Sequence, residues 1–269
     1  MTWIERLLRL SSRESTTISA LVSLIGITKH FGGVHALKGV DLSIDRGEVV
    51  ALVGHNGAGK SVLVQILSGV FPPSSGEIII EGKPVSFHSP SDALRYAIET
   101  IYQTLALADN LDAPGNFFLG RELRTRFGFL DKRRMAREAG RALLELNPNF
   151  VNIERPARDM SGGQRQAIAI ARAIHFQVRL LVMDEPTASL GPHETAQVGA
   201  LVRQLRDQGI GILLVSHDVR EVIRLADRIV VLKSGTIVGS AIATETSEDA
   251  IVEMIVRGRK LMFSEVTTQ

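Results

Sequence analysis

Residues 54–61 read Gly54-His55-Asn56-Gly57-Ala58-Gly59-Lys60-Ser61 and follow the pattern G-x-x-x-x-G-K-[ST]. The apolar run Val49–Val53 enters this stretch as a strand, and Lys60–Gly69 leaves it with apolar residues at helical spacing. Glycines let the backbone curl until its N–H groups point at phosphate oxygens. The start of the following helix adds a dipole favourable to negative charge. In such a loop a lysine at position 60 reaches the β- and γ-phosphates, and a serine at 61 is a ligand for Mg²⁺. A glycine-rich turn with a chance lysine is the competing reading. The strand and helix in register on either side argue against it.

A phosphate-binding loop needs a second acidic site, and Leu180-Leu181-Val182-Met183-Asp184-Glu185 supplies one. Four apolar residues form a buried strand that ends in two carboxylates. Ligands of open α/β sheets bind at such strand ends. Asp184 is the expected Mg²⁺ holder. Glu185 is the expected group to orient and polarise an attacking water.

Ser161-Gly162-Gly163-Gln164-Arg165-Gln166 lies 23 residues before Asp184. Serine is a helix N-cap, and small residues after it open the helix start. This makes a second anion-receptive helix end in one chain. One nucleotide cannot easily use both on one subunit. A head-to-tail pair solves the problem, with each subunit's Ser161–Gln164 closing over the other's nucleotide.

Around these motifs, strands alternate with helices. The pattern predicts strands at Leu21–Thr28, Gly39–Ile44, Glu48–Val53, Glu77–Glu81, Ile98–Tyr102, Leu180–Met183, Gly211–Val215, Arg228–Lys233 and Thr236–Gly239. Helices are expected at Lys60–Gly69, Pro90–Ala97, Lys132–Leu146, Gly162–Phe176, Pro192–Gln208, Val219–Ala226 and, after a serine cap, Ser247–Val256. Such alternation argues for a mainly parallel sheet covered by helices, an α/β fold. Leu105–Phe176 carries helical stretches and no convincing strand. It reads as a helical subdomain (105–177) inserted in an α/β core formed by 21–104 and 178–265. Residues 1–20 read as an extension. Trp3, Ile4, Leu7 and Leu8 fall at helical spacing there, while Glu5, Arg6 and Arg9 interrupt any secretory signal.

The chain has 269 residues, with 31 Lys and Arg against 29 Asp and Glu, a formal charge of +2. That balance is no nucleic-acid footprint. The arginines cluster at Arg121–Arg126 and Lys132–Arg137, as on solvated helix faces. No apolar run approaches the roughly 18 residues of a membrane span. With no cysteine, disulfides, thiolate metal sites and cysteine nucleophiles are excluded.

Taken together, these residues resemble the ATP-binding subunit of an ABC transporter, over nearly all of Leu21–Lys260. Phe31, the loop 54–61, Gln103, Ser161–Gln166, Asp184–Glu185 and His217 carry the likeness. The resemblance implies a P-loop ATPase core with an antiparallel β subdomain beside the parallel sheet. It implies that Phe31, 29 residues before Lys60, stacks on adenine, as an apolar ring can. It makes Gln103 a sensor of Mg²⁺ and water whose loop faces the permease, and His217 a contact to the γ-phosphate. It implies ATP and Mg²⁺ as ligands and a second ATP-binding subunit, most simply a second copy. Two membrane permease subunits and an external sugar-binding protein complete the implied system. The implied place is the cytoplasmic face of the bacterial inner membrane.

The segments Phe31–Leu37, Gly82–Val85, Ser89–Ala93 and Asn116–Glu122 are similar to monosaccharide importers of the ribose, xylose and fructose type, in their single-cassette form. A branched-chain amino-acid importer, which shares the Phe-Gly-Gly opening, and a regulatory cassette with little turnover stay open. Four positions depart from the family pattern. Val62 stands for a threonine near the α-phosphate, which implies weaker nucleotide binding. Gly191 stands for an aspartate in a loop that crosses the dimer. His55 and Thr104 are also unusual, Thr104 for an acid beside Gln103.

Overall fold

The computed structural model describes residues 20–258, apart from 104, 105, 147–149, 151 and 189. The expected extension, all but its last residue, lies outside the described residues, as does Thr104.

Four strands build an antiparallel sheet in the order β2-β1-β4-β5: β1 (Val22–Phe31), β2 (Val34–Ile44), β4 (Ser75–Ile80) and β5 (Lys83–Val85). The second sheet has the order β10-β9-β3-β8-β7-β6. In it β3 (Val49–Val53), β6 (Ile98–Ile101), β7 (Leu180–Asp184), β8 (Gly211–Val215) and β9 (Arg228–Lys233) run parallel. Only β10 (Thr236–Ile242) is antiparallel, to β9.

The apolar runs of the central strands follow from their position. Val50 and Leu52 of β3 point into one core, and Val49, Ala51 and Val53 into another. The same alternation holds in β7, β8 and β9, because successive strand side chains leave opposite faces. On one face lie the antiparallel sheet and α1 (Lys60–Leu67), through Leu63, Val64, Ile66 and Leu67. On the other lie α6 (Pro192–Asp207), α7 (Val219–Leu225) and α8 (Glu248–Arg257), through Val198, Val202, Val222 and Ile251. Each fully buried aliphatic chain contributes about 1.5–3 kcal/mol relative to exposure. Arg228 ties the two sheets together: its Nε donates to Glu48 at 2.8 Å and its guanidinium also donates to the Ser43 carbonyl at 2.6 Å.

A third core stands apart. It joins α3 (Ala113–Phe117), α4 (Lys132–Leu146) and α5 (Gly162–His175) around Phe117, Phe118, Met135, Ala139, Leu143 and Ile168. Among the described residues of this region the only strand-like feature is one bridge, Arg124 to Leu130.

Two elements correct the expectations: β5 and α3. Three residues are too short for a visible alternation in β5, and Lys83-Pro84 reads as a turn. In α3, the fully buried Asn116 builds the local structure. Its Oδ1 accepts from the Ala108 backbone at 2.7 Å, and its amide donates to the carbonyls of Ala108, Leu111 and Asp112. Those bonds are made by tertiary placement and leave no period. β2 starts at Val34, five residues before the expected Gly39, and β10 runs three residues past Gly239. The short helix α2 (Pro90–Arg95) stops two residues before the expected Ala97.

Candidate functional site

The parallel sheet brings the motifs to one edge. Along neighbouring strands, Gln103 follows β6, Asp184 and Glu185 close β7, His217 follows β8, and residues 54–59 follow β3. All leave the carboxyl ends, where strand carbonyls and helix starts face a bound ligand. The backbone N–H of Glu185 donates to the Val215 carbonyl at 2.8 Å, which locks the end of β7 to that of β8.

The phosphate-binding loop is shaped by contacts that only glycine permits. A Cβ on Gly54 would lie 2.1 Å from the Leu232 carbonyl oxygen. One on Gly59 (φ +109°) would meet the Ala36 carbonyl oxygen and a Leu37 methyl, each at 2.8 Å. Gly57 (φ +80°) faces open space, so its backbone approaches whatever fills the loop without a side chain between. Ala58 is held from behind, where its carbonyl accepts from the Gly235 N–H at 2.9 Å. Nδ1 of His55 lies 2.6 Å from the Asn56 carbonyl.

Lys60 opens α1 and is buried. Its ammonium donates to the carbonyls of Gly54 at 2.7 Å and His55 at 3.2 Å, across the mouth of the loop. Burial holds its pKa below the ordinary lysine value, against the pull of Glu185 and Asp184. Asp184 shows the reverse. Burial, then the neighbouring Glu185, raises its carboxyl above the usual aspartate range, partly offset by Lys60. Ser61 is exposed in the first turn of α1, while Val62 packs partly buried against the main core.

Glu185 has a left-handed backbone, φ +51°, rare for a non-glycine residue. Its Oε1 lies 3.1 Å from Nδ1 of His217. Strain at such a residue costs about 1–3 kcal/mol and persists only where the surroundings enforce it. Glu221 is part of that enforcement and was missed in the sequence. It is buried; its Oε2 accepts from Thr187 Oγ1 at 2.7 Å and from Ser216 Oγ at 3.3 Å. Thr187 lies two residues past Glu185, and Ser216 precedes His217. An acid four residues past His217 reads as helix decoration, because burial is not written in spacing.

Phe31 ends β1, 47% exposed, and packs edge-on against Phe71 with ring centroids 5.3 Å apart. Lys29 sits over Phe71 at 4.5 Å. Phe71 is the ring's support, also missed in the sequence.

Ser161, Gly162, Gly163 and Gln164 start α5. Ser161 Oγ accepts from the Gln164 N–H at 3.2 Å, and Gln164 Oε1 accepts from the Ser161 N–H at 3.1 Å, a reciprocal cap. No hydrogen bond or ion pair among the described residues joins this helix start to the loop 54–61. Instead, Glu194 of α6 accepts from the N–H of Gly163 at 3.2 Å and from that of Gly191 at 3.1 Å. Glycine 191 has no side chain, so only the Glu194 half of a capping box operates there.

The donor set fits Mg²⁺ bound through a substrate. Among the described residues no group of three or more His, Asp and Glu side chains forms a cage for a metal. Mg²⁺ needs none, since it takes one or two protein ligands and completes its shell with phosphate oxygens and water. Ser61, Gln103 and Asp184 are the side chains of suitable chemistry for that role, and the glycine-lined loop beside Ser61 leaves room for phosphates.

The chain is similar to known proteins in both sequence and fold. Among solved structures, the chain matches the ATP-binding cassette MJ1267 of an ABC transporter with TM-score 0.78 and 25% identity, covering 89% of this chain and 98% of that one. A dimeric cassette, MJ0796 bound to ADP and Pi, matches with TM-score 0.68 and 26% identity, covering 82% of this chain and 98% of that one. The xylose/arabinose import ATP-binding protein XylG of Sulfolobus acidocaldarius is 43% identical over 88% of this chain and 94% of its own length. The ribose import ATP-binding protein RbsA 1 of Burkholderia thailandensis is 41% identical over 92% of this chain. The chain spans about half, 48%, of that relative. The model of the ABC transporter family matches residues 37–188, and the chain belongs to that family.

Proposed function

We propose that this chain is the ATP-hydrolysing subunit of an ABC importer for a monosaccharide of the xylose, arabinose or ribose kind. The observation that carries the reading is the edge-on array of Gln103, Asp184–Glu185, His217 and the loop 54–61, on a chain 43% identical to a sugar importer's ATP-binding protein. The two import ATP-binding proteins named above, XylG and RbsA 1, carry pentose names, which favours sugar over branched-chain amino acids.

ATP is the substrate. Phe31, backed by Phe71, takes the adenine face, and the N–H groups of 54–59 with Lys60 take the phosphates. Ser61 and Asp184 would hold Mg²⁺, which when bound neutralises charge on the phosphate oxygens. Glu185 orients the attacking water and draws its proton, and His217 holds Glu185 and reaches the γ-phosphate side. Gln103 follows β6 at the edge of the sheet, where it would sense Mg²⁺ and the water while its loop faces the permease. Catalysis is then positioning and charge neutralisation. In this reading the α/β core comprises 21–104 and 178–265, and the helical subdomain comprises 105–177.

Ser161–Gln164 serves the nucleotide of a second copy, so the working unit is a dimer. Two permease subunits complete the assembly at the cytoplasmic face of the membrane, and a sugar-binding protein delivers the cargo outside. A groove beside Gln103, lined by Leu94, Tyr102, Ala106, Leu107, Glu99 and Arg172, offers an apolar seat with a charged wall for a permease segment. No described helix is long and apolar enough to cross a membrane, so the reading assigns the spans to those partners.

The test has two arms. The purified chain should hydrolyse ATP only with Mg²⁺, and cells lacking this subunit should lose uptake of one radiolabelled sugar from a pentose and hexose panel. Absence of Mg²⁺-dependent hydrolysis, alone and beside its permease, sinks the enzyme. Unchanged uptake of every sugar sinks the cargo class.

A further inference from the structure

The chain's charge is unevenly placed. Between Arg121 and Arg137 stand seven basic residues and two acidic ones, although the whole chain is only +2. The remaining residues therefore carry more acid than base.

The structure gives this segment a definite shape. Arg124 and Leu130 pair across a hairpin. Thr125 N–H donates to the Phe129 carbonyl at 2.8 Å, and Asp131 N–H donates to the Leu123 carbonyl at 2.8 Å. Its tip presents Phe127 and Phe129, 72% and 75% exposed, with Leu130 also exposed. Arg126 lies over one face of Phe127 at 4.5 Å, and both rings stay mostly open to solvent. Two exposed phenylalanines on one short hairpin are costly in water and mark a contact surface.

The helix that follows continues the surface. In α4, Met135, Ala139 and Leu143 face the helical core, while Arg133, Arg137 and Arg141, two positions earlier, face solvent. A four-residue repeat offset by two puts the rows on opposite sides. Among the described residues, none of Arg124, Arg126, Lys132, Arg133, Arg137 and Arg141 forms an ion pair, in contrast to Arg121 and Arg134. Arg121 anchors the hairpin base to Glu99, a wall of the groove beside Gln103.

We infer that the hairpin 124–130 and the basic face of α4 form a contact surface for anionic lipid headgroups. Exposed aromatic rings beside arginines suit the headgroup level of a bilayer, where the rings enter the acyl boundary and the guanidinium groups meet phosphate. A nucleic acid would meet the arginines equally well. It has less use for two adjacent rings at a hairpin tip, and the function proposed above sets the chain beside a membrane. The choice of lipid rests on that reading, but the surface shares no residue with the nucleotide site, so loss of vesicle binding and loss of ATP hydrolysis are separate outcomes.

The test is co-sedimentation of the full chain with vesicles, one set pure phosphatidylcholine and one with a third phosphatidylglycerol, at low and high salt. The expected result is binding to the anionic vesicles only, weakened by salt. Substituting F127S/F129S, or R133Q/R137Q/R141Q, should lower the partition coefficient by about tenfold or more. ATP hydrolysis by the soluble chain should stay unchanged in both variants, which also reports that they fold. Failure to bind anionic vesicles overturns the proposal. So does equal binding by both variants, or a preference for single-stranded nucleic acid over the vesicles in direct competition.

Discussion

Nδ1 of His217 lies 3.1 Å from Oε1 of Glu185, although 31 residues separate the two in the chain. They meet because β7 and β8 are parallel neighbours, with Glu185 directly after β7 and His217 two residues after Val215, the last of β8. Glu185 is mostly buried and His217 mostly exposed, so the imidazole closes the pair from the solvent side.

If Glu185 handles the attacking water, Glu185→Gln should cut turnover by roughly 10²–10⁴-fold, the usual worth of a general base. ATP affinity should persist, because the amide keeps the side chain's size. Steady-state hydrolysis beside equilibrium nucleotide binding checks this. Equal loss of both would point to a collapsed site.

Asp184 should trade stability for function. Its native carboxyl titrates above the ordinary 3.8, from burial first and Glu185 second. The native state therefore holds a proton that the unfolded chain has released. Stability falls as the pH rises from about 3.8 through the raised value, and stays lost at neutral pH. Lys60 adds a cost of the same sense at neutral pH. Its native pKa is depressed, so its stability loss appears as the pH falls below the ordinary lysine value of 10.5. Asp184→Asn should raise Tm at pH 7 without nucleotide, with the gain shrinking toward pH 4. The same change should abolish most Mg²⁺-dependent turnover. A thermal-unfolding series from pH 4 to 8 reads the first effect.

Two glycines of the loop should respond differently to alanine. Gly54→Ala drives a Cβ to 2.1 Å from a backbone oxygen that cannot step aside, so it should cost about 1–3 kcal/mol or more and disrupt nucleotide binding. Gly57→Ala meets open space and pays only for its positive φ, about 1–2 kcal/mol. Denaturant titrations of the two variants separate clash from conformational strain.

Glu221 should matter for turnover beyond its effect on stability. Glu221→Ala leaves the hydroxyls of Thr187 and Ser216 without their shared acceptor, about 1–3 kcal/mol at the buried Ser216 and less at the half-buried Thr187. Because those hydroxyls flank Glu185 and His217, kcat should fall while KM for ATP holds. Glu221→Gln retains an acceptor oxygen and should recover most of kcat. A change in KM alone would count against a positioning role.

Much of this was legible because it is local. The G-x-x-x-x-G-K-[ST] spacing needs only eight consecutive residues, and Leu180–Glu185 shows both a buried strand and its acidic end. Continuous apolar runs announced the central strands before their order was known, since both faces of each are covered. Brief elements fared worse: α3 rests on Asn116 and its buried amide network, a feature with no period to read.

What the linear chain determined, then, was a set of motifs: a phosphate-loop pattern, a strand ending in two carboxylates, and a serine-capped helix start. Only the tertiary structure decided their company. The order β6-β7-β8-β3 sets Gln103, Asp184–Glu185, His217 and the loop in one row, because parallel strands expose all their carboxyl ends on the same edge. It also placed Glu221 beneath the Glu185–His217 pair and Glu194 against Gly163, pairings set by burial and packing between distant segments. Periodicity reports which face of an element turns inward; it does not report which neighbour waits there.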